Sequence, residues 1–316
     1  MIINTGARTD TVQYFTDWLL RRFAEGYVLS RNPLFPDQIT RYELTPDKVD
    51  AVVFCSKNYA PILSRLHEIT GRFHTYFYYT ITAYGRDIEP GVPSIRENIQ
   101  TLRALSGQVG RQRVAWRYDP VLLTKDYTIR RHLETFEQMA ARLAPYVDRC
   151  IFSFVEMYKK LAVNMPELIP LSETDRNTVA QGLGAIAQKY KLSIQTCGTH
   201  GDYSRYGIAP SGCITLDILG RANNLTFKQL RHKGMRKGCH CIESRDIGAY
   251  DTCPNGCRYC YANQSPGKAL ENYKRHDPAS PLLLGHVRPE DHIIRGVQKS
   301  YLDGTAIKGQ QTLPFL

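Results

Sequence analysis

Three cysteines near the end of the 316-residue chain, Cys253, Cys257 and Cys260, share one short loop with the spacing CxxxCxxC, and Tyr259 stands just before the last. Thiolate is the ligand that cubic 4Fe–4S clusters take, so such a loop can hold three irons and leave the fourth open to a small molecule. A structural metal site normally closes its coordination shell, which makes that open position the chemical point of the spacing. Pro254 and Gly256 allow the tight turn that aims three sulfurs inward. Zinc is the alternative, since one more cysteine or histidine would complete a tetrahedral set. Zinc ribbons, however, use paired CxxC knuckles. The spacing favours the cluster.

Six further cysteines remain. Cys55 and Cys150 lie at the edges of apolar runs and read as small buried hydrophobes. Cys197, Cys213, Cys239 and Cys241 lie on loops rich in glycine, histidine and charge. Four thiolates fully ligate a second 4Fe–4S cluster, which is the expectation here; a structural zinc needs the same number. His240 is left out of the set, because a histidine so placed more often caps or faces solvent.

The elements that must position these residues follow from patterning. Ile2–Thr5 reads as a short strand, and Asp10 as the cap of a helix over 11–25 that stops at Gly26. Residues 27–43 suggest a hairpin or excursion. Apolar runs at 51–54, 76–83, 114–116, 150–155 and 192–196 have the character of buried parallel strands. Helices separate them: one opened by the capping box Ser94/Glu97, one carrying Ile129 to Leu143, one begun by Ser172 and Asp175. Strand followed by helix implies a parallel sheet.

Six such units predict an α/β fold of the open, partial (β/α)6-barrel kind. Residues 1–196 would form its core, and 197–264 a cysteine-rich region completing it. Residues 265–316 are expected to be an irregular tail. No glycine-rich dinucleotide fingerprint is present. In parallel barrels the site is built at the C-terminal strand ends. Those ends carry Arg8/Asp10, Lys57/Asn58, Tyr84 to Glu89, Arg117/Asp119, Glu156/Lys159 and Cys197. Arg8, Asp10, Arg117 and Asp119 are the candidates for contacts to substrate or to a cofactor carboxylate.

Composition sets outer bounds. Apolar residues make up 42% and charged residues 22%, ordinary values for a globular chain. No apolar run is long enough for a transmembrane helix, and the start lacks a signal-peptide pattern. Nine cysteines without an export signal point to a reducing cytoplasm. The formal charge of +11 would suit a polyanionic or nucleic-acid substrate. Its densest cluster is Lys228, Arg231, His232, Lys233, Arg236 and Lys237. A merely basic surface accounts for it equally well.

The CxxxCxxC loop with its aromatic resembles the signature of the radical SAM superfamily. The resemblance implies that the open iron chelates S-adenosylmethionine and that Tyr259 packs near the adenine. Most such proteins carry the loop after the first strand, whereas here it follows six, a rotated strand order. Over nearly its whole length the chain resembles the domain of unknown function 1848 family. The matching stretches include Ala7 to Asp10, Gly26 to Pro33, Phe54 to Asn58, Asp87 to Pro90, Trp116 to Pro120 and Asp246 to Cys253. Cys257 to Tyr261 is also similar to the loop of spore photoproduct lyase, a DNA repair enzyme. One departure is the lack of a Gly-Gly-Glu triplet, which many superfamily members use to hold the methionine amino group. The implied activity is reductive cleavage of S-adenosylmethionine, fed by an external one-electron donor of the flavodoxin or ferredoxin type. Two other classes remain open: an iron–sulfur electron carrier or sensor, and a zinc-stabilised nucleic-acid-binding protein.

Overall fold

A computed structural model describes residues 1–199, 201–210, 212–229 and 239–303. The chain begins with Ile2–Asn4 (β1), the helices Thr11–Tyr14 (α1) and Thr16–Glu25 (α2), and the strands Tyr27–Arg31 (β2), Gln38–Glu43 (β3) and Ala51–Ser56 (β4). His67–Thr70 (α3), Thr75–Thr80 (β5), Ile95–Val109 (α4), Val114–Val121 (β6), Ile129–Leu143 (α5) and Arg149–Phe154 (β7) follow. Next come Lys159–Asn164 (α6), Glu173–Lys189 (α7), Ser193–Thr196 (β8), Ala209–Pro210 (β9) and Leu216–Asn223 (α8). Arg245–Asp246 (β10), Pro266–Lys274 (α9) and His292–Arg295 (β11) complete the order.

Local signals place these elements. Ser94 and Glu97 close a reciprocal capping box on α4, and Ser172 with Asp175 does the same for α7. Asp10 caps α1 by accepting from the Gln13 N–H, and Gly26 ends α2 in the left-handed region at φ 79°. The single helix expected over 11–25 is broken at Phe15, which leaves helical geometry. Its ring packs edge-on against Tyr273 and His276, so the break carries it toward the C-terminal segment.

Eight strands form one sheet in the order β10-β1-β4-β5-β6-β7-β8-β9, parallel throughout. Strand alternation divides its residues between two faces. Phe54, Phe77, Trp116, Phe152 and Phe154 join the larger core with Leu19, Phe23, Leu102, Phe136 and Leu183 from the helices. Trp116 stacks on Phe136 with centroids 4.7 Å apart. Val53, Tyr76, Tyr78, Ala115 and Ile151 take the other face, against Ile214, Leu216 and Leu219.

Two differences from expectation concern the cysteine-rich region and the tail. The former supplies two edge strands, β9 and β10, each too short to leave a pattern in the sequence. β10 pairs with the first strand, Asn4 beside Asp246, so the C-terminal region returns to the N-terminal edge of the chain. The described part of the tail, residues 265–303, is not wholly irregular. Ser265 caps α9 with Pro266 at its first position, and β11 adds in parallel to β3, giving a three-stranded sheet β11-β3-β2. Pro278, Pro281 and Pro289 lie between these two elements instead of interrupting them. The Trp18 indole N–H donates to the Ser280 carbonyl at 2.9 Å, fastening the tail to α2.

Candidate metal centre

The cysteine loop leaves the sheet at the C-terminal end of β10. The Asp246 carboxylate accepts from Ala7 N–H at 2.8 Å and Gly248 N–H at 2.9 Å, and the Ile247 N–H donates to the Asn4 carbonyl. Those bonds fix the loop's departure to the neighbouring strand. Its two ends close through Asp251 N–H to the Ala262 carbonyl, and Asn263 Nδ2 donates to the Cys253 carbonyl at 2.7 Å. Gly256 turns the loop at φ 67°. Gly91 lies so close to Asn255 that a β-carbon there would meet its Cα at 2.9 Å. Cys253, Cys257 and Cys260 are free and half-buried. Burial pushes the Cys253 thiol up to about 12 and Cys257 well above the ordinary thiol range.

The ring of Tyr259 is held from behind. Its hydroxyl donates to Glu89, whose Oε1 also accepts from Lys57 Nζ at 2.8 Å and Thr82 Oγ1 at 3.0 Å. Glu89 is 3% exposed, and Lys57 is the cation that pairs with it. Lys57 Nζ also lies 5.6 Å from the Tyr259 ring centre and is the main positive charge favouring a thiolate at Cys257. Lys57 and Glu89 belong to this site as firmly as any candidate named from sequence.

The four polar candidates fall into two pairs. Arg8 lies over Tyr250, 3.9 Å from Asp246. Asp10 is buried with both oxygens engaged: Oδ1 by Gln13 N–H and Ser56 Oγ, Oδ2 by Lys57 N–H at 2.9 Å. The Asp10 N–H also donates to Cys253. Both residues buttress the cysteine loop. Arg117 and Asp119 lie elsewhere, on the face of β6 opposite Trp116 and Tyr118. Arg117 pairs with Asp119, which also accepts from Ser153 Oγ.

Beside that pair stands the second thiol set. Cys197 follows β8, Cys213 precedes α8 and Cys241 lies ahead of β10, yet their sulfurs all fall within 4.8 Å of one another. Cys213 and Cys241 are 3.5 Å apart. Hydrogen bonds from Cys197 and Cys241 hold the Cys213 sulfur well below the usual thiol range, aided by Arg117. Cys239 lies outside this group; its sulfur accepts from the Cys241 N–H at 3.4 Å. Such a cluster can bind a metal or iron–sulfur centre.

Cys150 is a core residue, as expected, but Cys55 is half-buried on the same face as Arg117, whose charge reaches it. The apolar run before Cys55 carried no sign of that placement. Of the basic cluster, Lys228 is exposed, and Arg231, His232, Lys233, Arg236 and Lys237 lie outside the described residues. No described helix is long and apolar enough to cross a membrane.

Fold and site together define an α/β protein with a parallel sheet, three thiols on a loop that follows an edge strand and three more gathered against one sheet face. The family model described as Domain of unknown function (DUF1848) matches residues 2–262, and the chain belongs to that family. No curated protein matches the sequence. One solved structure, titled "Contribution of disulfide bond toward thermostability in hyperthermostable endocellulase", is similar at 15% identity and a TM-score of 0.33. The likeness covers 55% of this chain and 58% of that one, too loose to carry an argument.

Proposed function

We propose that the chain is a radical SAM enzyme built on a partial barrel, with Cys253, Cys257 and Cys260 as the cluster ligands. The observation that carries the reading is the loop itself: three free thiols in CxxxCxxC order at the C-terminal end of an edge strand of a parallel sheet. The donor set suits a 4Fe–4S cluster, because these sulfurs do not share the tight grouping of Cys197, Cys213 and Cys241. Each thiolate of a cubic cluster sits on a different iron, which spreads the ligands. When bound and reduced, such a cluster supplies one electron to the sulfonium of S-adenosylmethionine, yielding methionine and a 5′-deoxyadenosyl radical.

The chain's own residues do the positioning. Lys57 and Glu89 hold Tyr259 against the loop, and the Asp10 N–H donates to the Cys253 sulfur. Arg117 and Asp119 offer a charged pair on the inner sheet face for a polar substrate group. A flavodoxin- or ferredoxin-type donor would supply the electron. A polyanionic substrate is compatible with the charge of +11, and its binding would weaken steeply with salt.

The test is anaerobic reconstitution with iron and sulfide, reduction, and assay for 5′-deoxyadenosine. Formation of 5′-deoxyadenosine that disappears in Cys257→Ala supports the reading. A loaded cluster that never cleaves S-adenosylmethionine would leave an electron carrier or sensor instead.

A further inference from the structure

We propose that Cys197, Cys213 and Cys241 form a metal site separate from the 253–260 loop, taking one thiophilic divalent ion of the zinc class through three thiolates. The first argument is size. With zinc–sulfur bonds of about 2.3 Å, tetrahedral geometry puts ligand sulfurs about 3.8 Å apart. Cys213 and Cys241 stand 3.5 Å apart, and all three sulfurs lie within 4.8 Å of one another. A cubic cluster needs its thiolates spread over separate irons, and the 253–260 loop lacks this tight grouping. Within one molecule, the two sets therefore differ in the direction expected of one ion against one cluster.

The second argument is the setting of the sulfurs. The Ile214 N–H donates to the Cys241 sulfur at 3.4 Å, which holds that sulfur facing Cys213. Three thiolates on a divalent ion leave one net negative charge, and Arg117 supplies a positive charge beside Cys197 and Cys213. Three free thiols so close together, two of them buried, otherwise have little to offset their desolvation.

The third argument is what the ion would join. Cys197 follows β8, Cys213 leads into α8, and Cys241 precedes β10. Between these points the described segments hold only β9 and α8 as strand and α-helix. Tying these three points closes long loops, and binding would displace the thiol protons to solvent. The inference does not rest on the S-adenosylmethionine reading, since the site shares no ligand with the 253–260 loop.

The probe is cobalt(II), titrated anaerobically into the full chain carrying Cys253→Ala, Cys257→Ala and Cys260→Ala, which removes the competing loop. About one cobalt per chain is expected, with thiolate-to-cobalt charge transfer and a tetrahedral visible spectrum. Adding Cys197→Ser or Cys241→Ser should abolish the band and weaken binding at least tenfold. Zinc-edge absorption on the unsubstituted chain reads the same site without a cysteine change, and should show sulfur near about 2.3 Å and no neighbouring metal. Two results would overturn the proposal. One is about four irons with labile sulfide retained by the loop variant, marking a second cluster. The other is the absence of thiolate-bound cobalt and of zinc–sulfur scattering. Neither result bears on 5′-deoxyadenosine formation, which is measured on the unsubstituted chain.

Discussion

Lys57 Nζ lies 2.8 Å from Glu89 Oε1, and the same carboxylate oxygen accepts the hydroxyl proton of Tyr259, 170 residues further along the chain. One buried carboxylate thus couples the end of the third strand of the main sheet to the cysteine loop. Removing one partner of a buried ion pair leaves the other uncompensated, at a cost of about 3–5 kcal/mol. Lys57→Met should therefore lower the melting temperature and loosen Tyr259. In reconstituted protein it should also make the cluster harder to reduce, because a positive charge beside Cys257 is gone. Redox titration followed by electron paramagnetic resonance checks this. An unchanged potential would show that Lys57 supports the ring alone.

Cys253→Ala, Cys257→Ala and Cys260→Ala should each prevent stable loading of the loop and reduce 5′-deoxyadenosine to background. Iron content and product are both measured. A triple variant that still forms 5′-deoxyadenosine would end the radical SAM assignment.

Much of the frame was legible because buried parallel strands are written as continuous apolar runs, as in Ala51 to Phe54, and helix starts as capping pairs such as Ser94/Glu97. The elements that escaped lack those marks. Two-residue strands such as Arg245–Asp246 have no period, and Ile293 and Ile294 of β11 face solvent, so no core pattern announces them. At the site, cysteine spacing within a loop was informative. The meeting of Cys197 with Cys241 was anticipated only from their shared end of the sheet. Cys55 packs partly buried against the second core, close to the small-hydrophobe reading, and the charge of Arg117 beside it left no trace in the apolar run. Glu89 could be seen only as one of several loop residues, since its partners come from distant segments.

His132 gives a pH prediction. It is fully buried, with Nδ1 2.6 Å from the Tyr118 hydroxyl and Nε2 2.8 Å from the Leu122 carbonyl oxygen. Burial lowers its pKa from 6.5 to about 4. The unfolded chain therefore binds a proton here before the folded chain does, so stability is fully present above pH 6.5 and falls as pH drops toward about 4. The loss approaches about 3 kcal/mol at 1.36 kcal/mol per unit. Urea midpoints across that window should fall more steeply for the unsubstituted chain than for His132→Gln. Parallel profiles would mean that His132 does not titrate on unfolding.

Asp10 caps α1 and Asp119 lies within β6, and the two should fail in different ways. Asp10 has no free oxygen: it accepts from Gln13 N–H, Ser56 Oγ and Lys57 N–H, while its own N–H reaches Cys253. Hydrogen bonds to charged groups contribute about 1.5–3 kcal/mol each, so Asp10→Asn should weaken the turn before α1 and the loop packed on it. Reduced iron retention and a lower melting temperature are expected. Asp119 instead pairs with Arg117 and Ser153 on the sheet face opposite Trp116, and none of these bonds reaches the 253–260 loop. Asp119→Asn should keep its iron and its substrate-independent formation of 5′-deoxyadenosine within about twofold, a change of about 0.4 kcal/mol in barrier. Its defect should appear only when the natural substrate is supplied. Iron analysis and the uncoupled assay on both variants separate the roles. If Asp119→Asn loses iron as Asp10→Asn does, the inner pair is part of the loop's support and not a substrate contact.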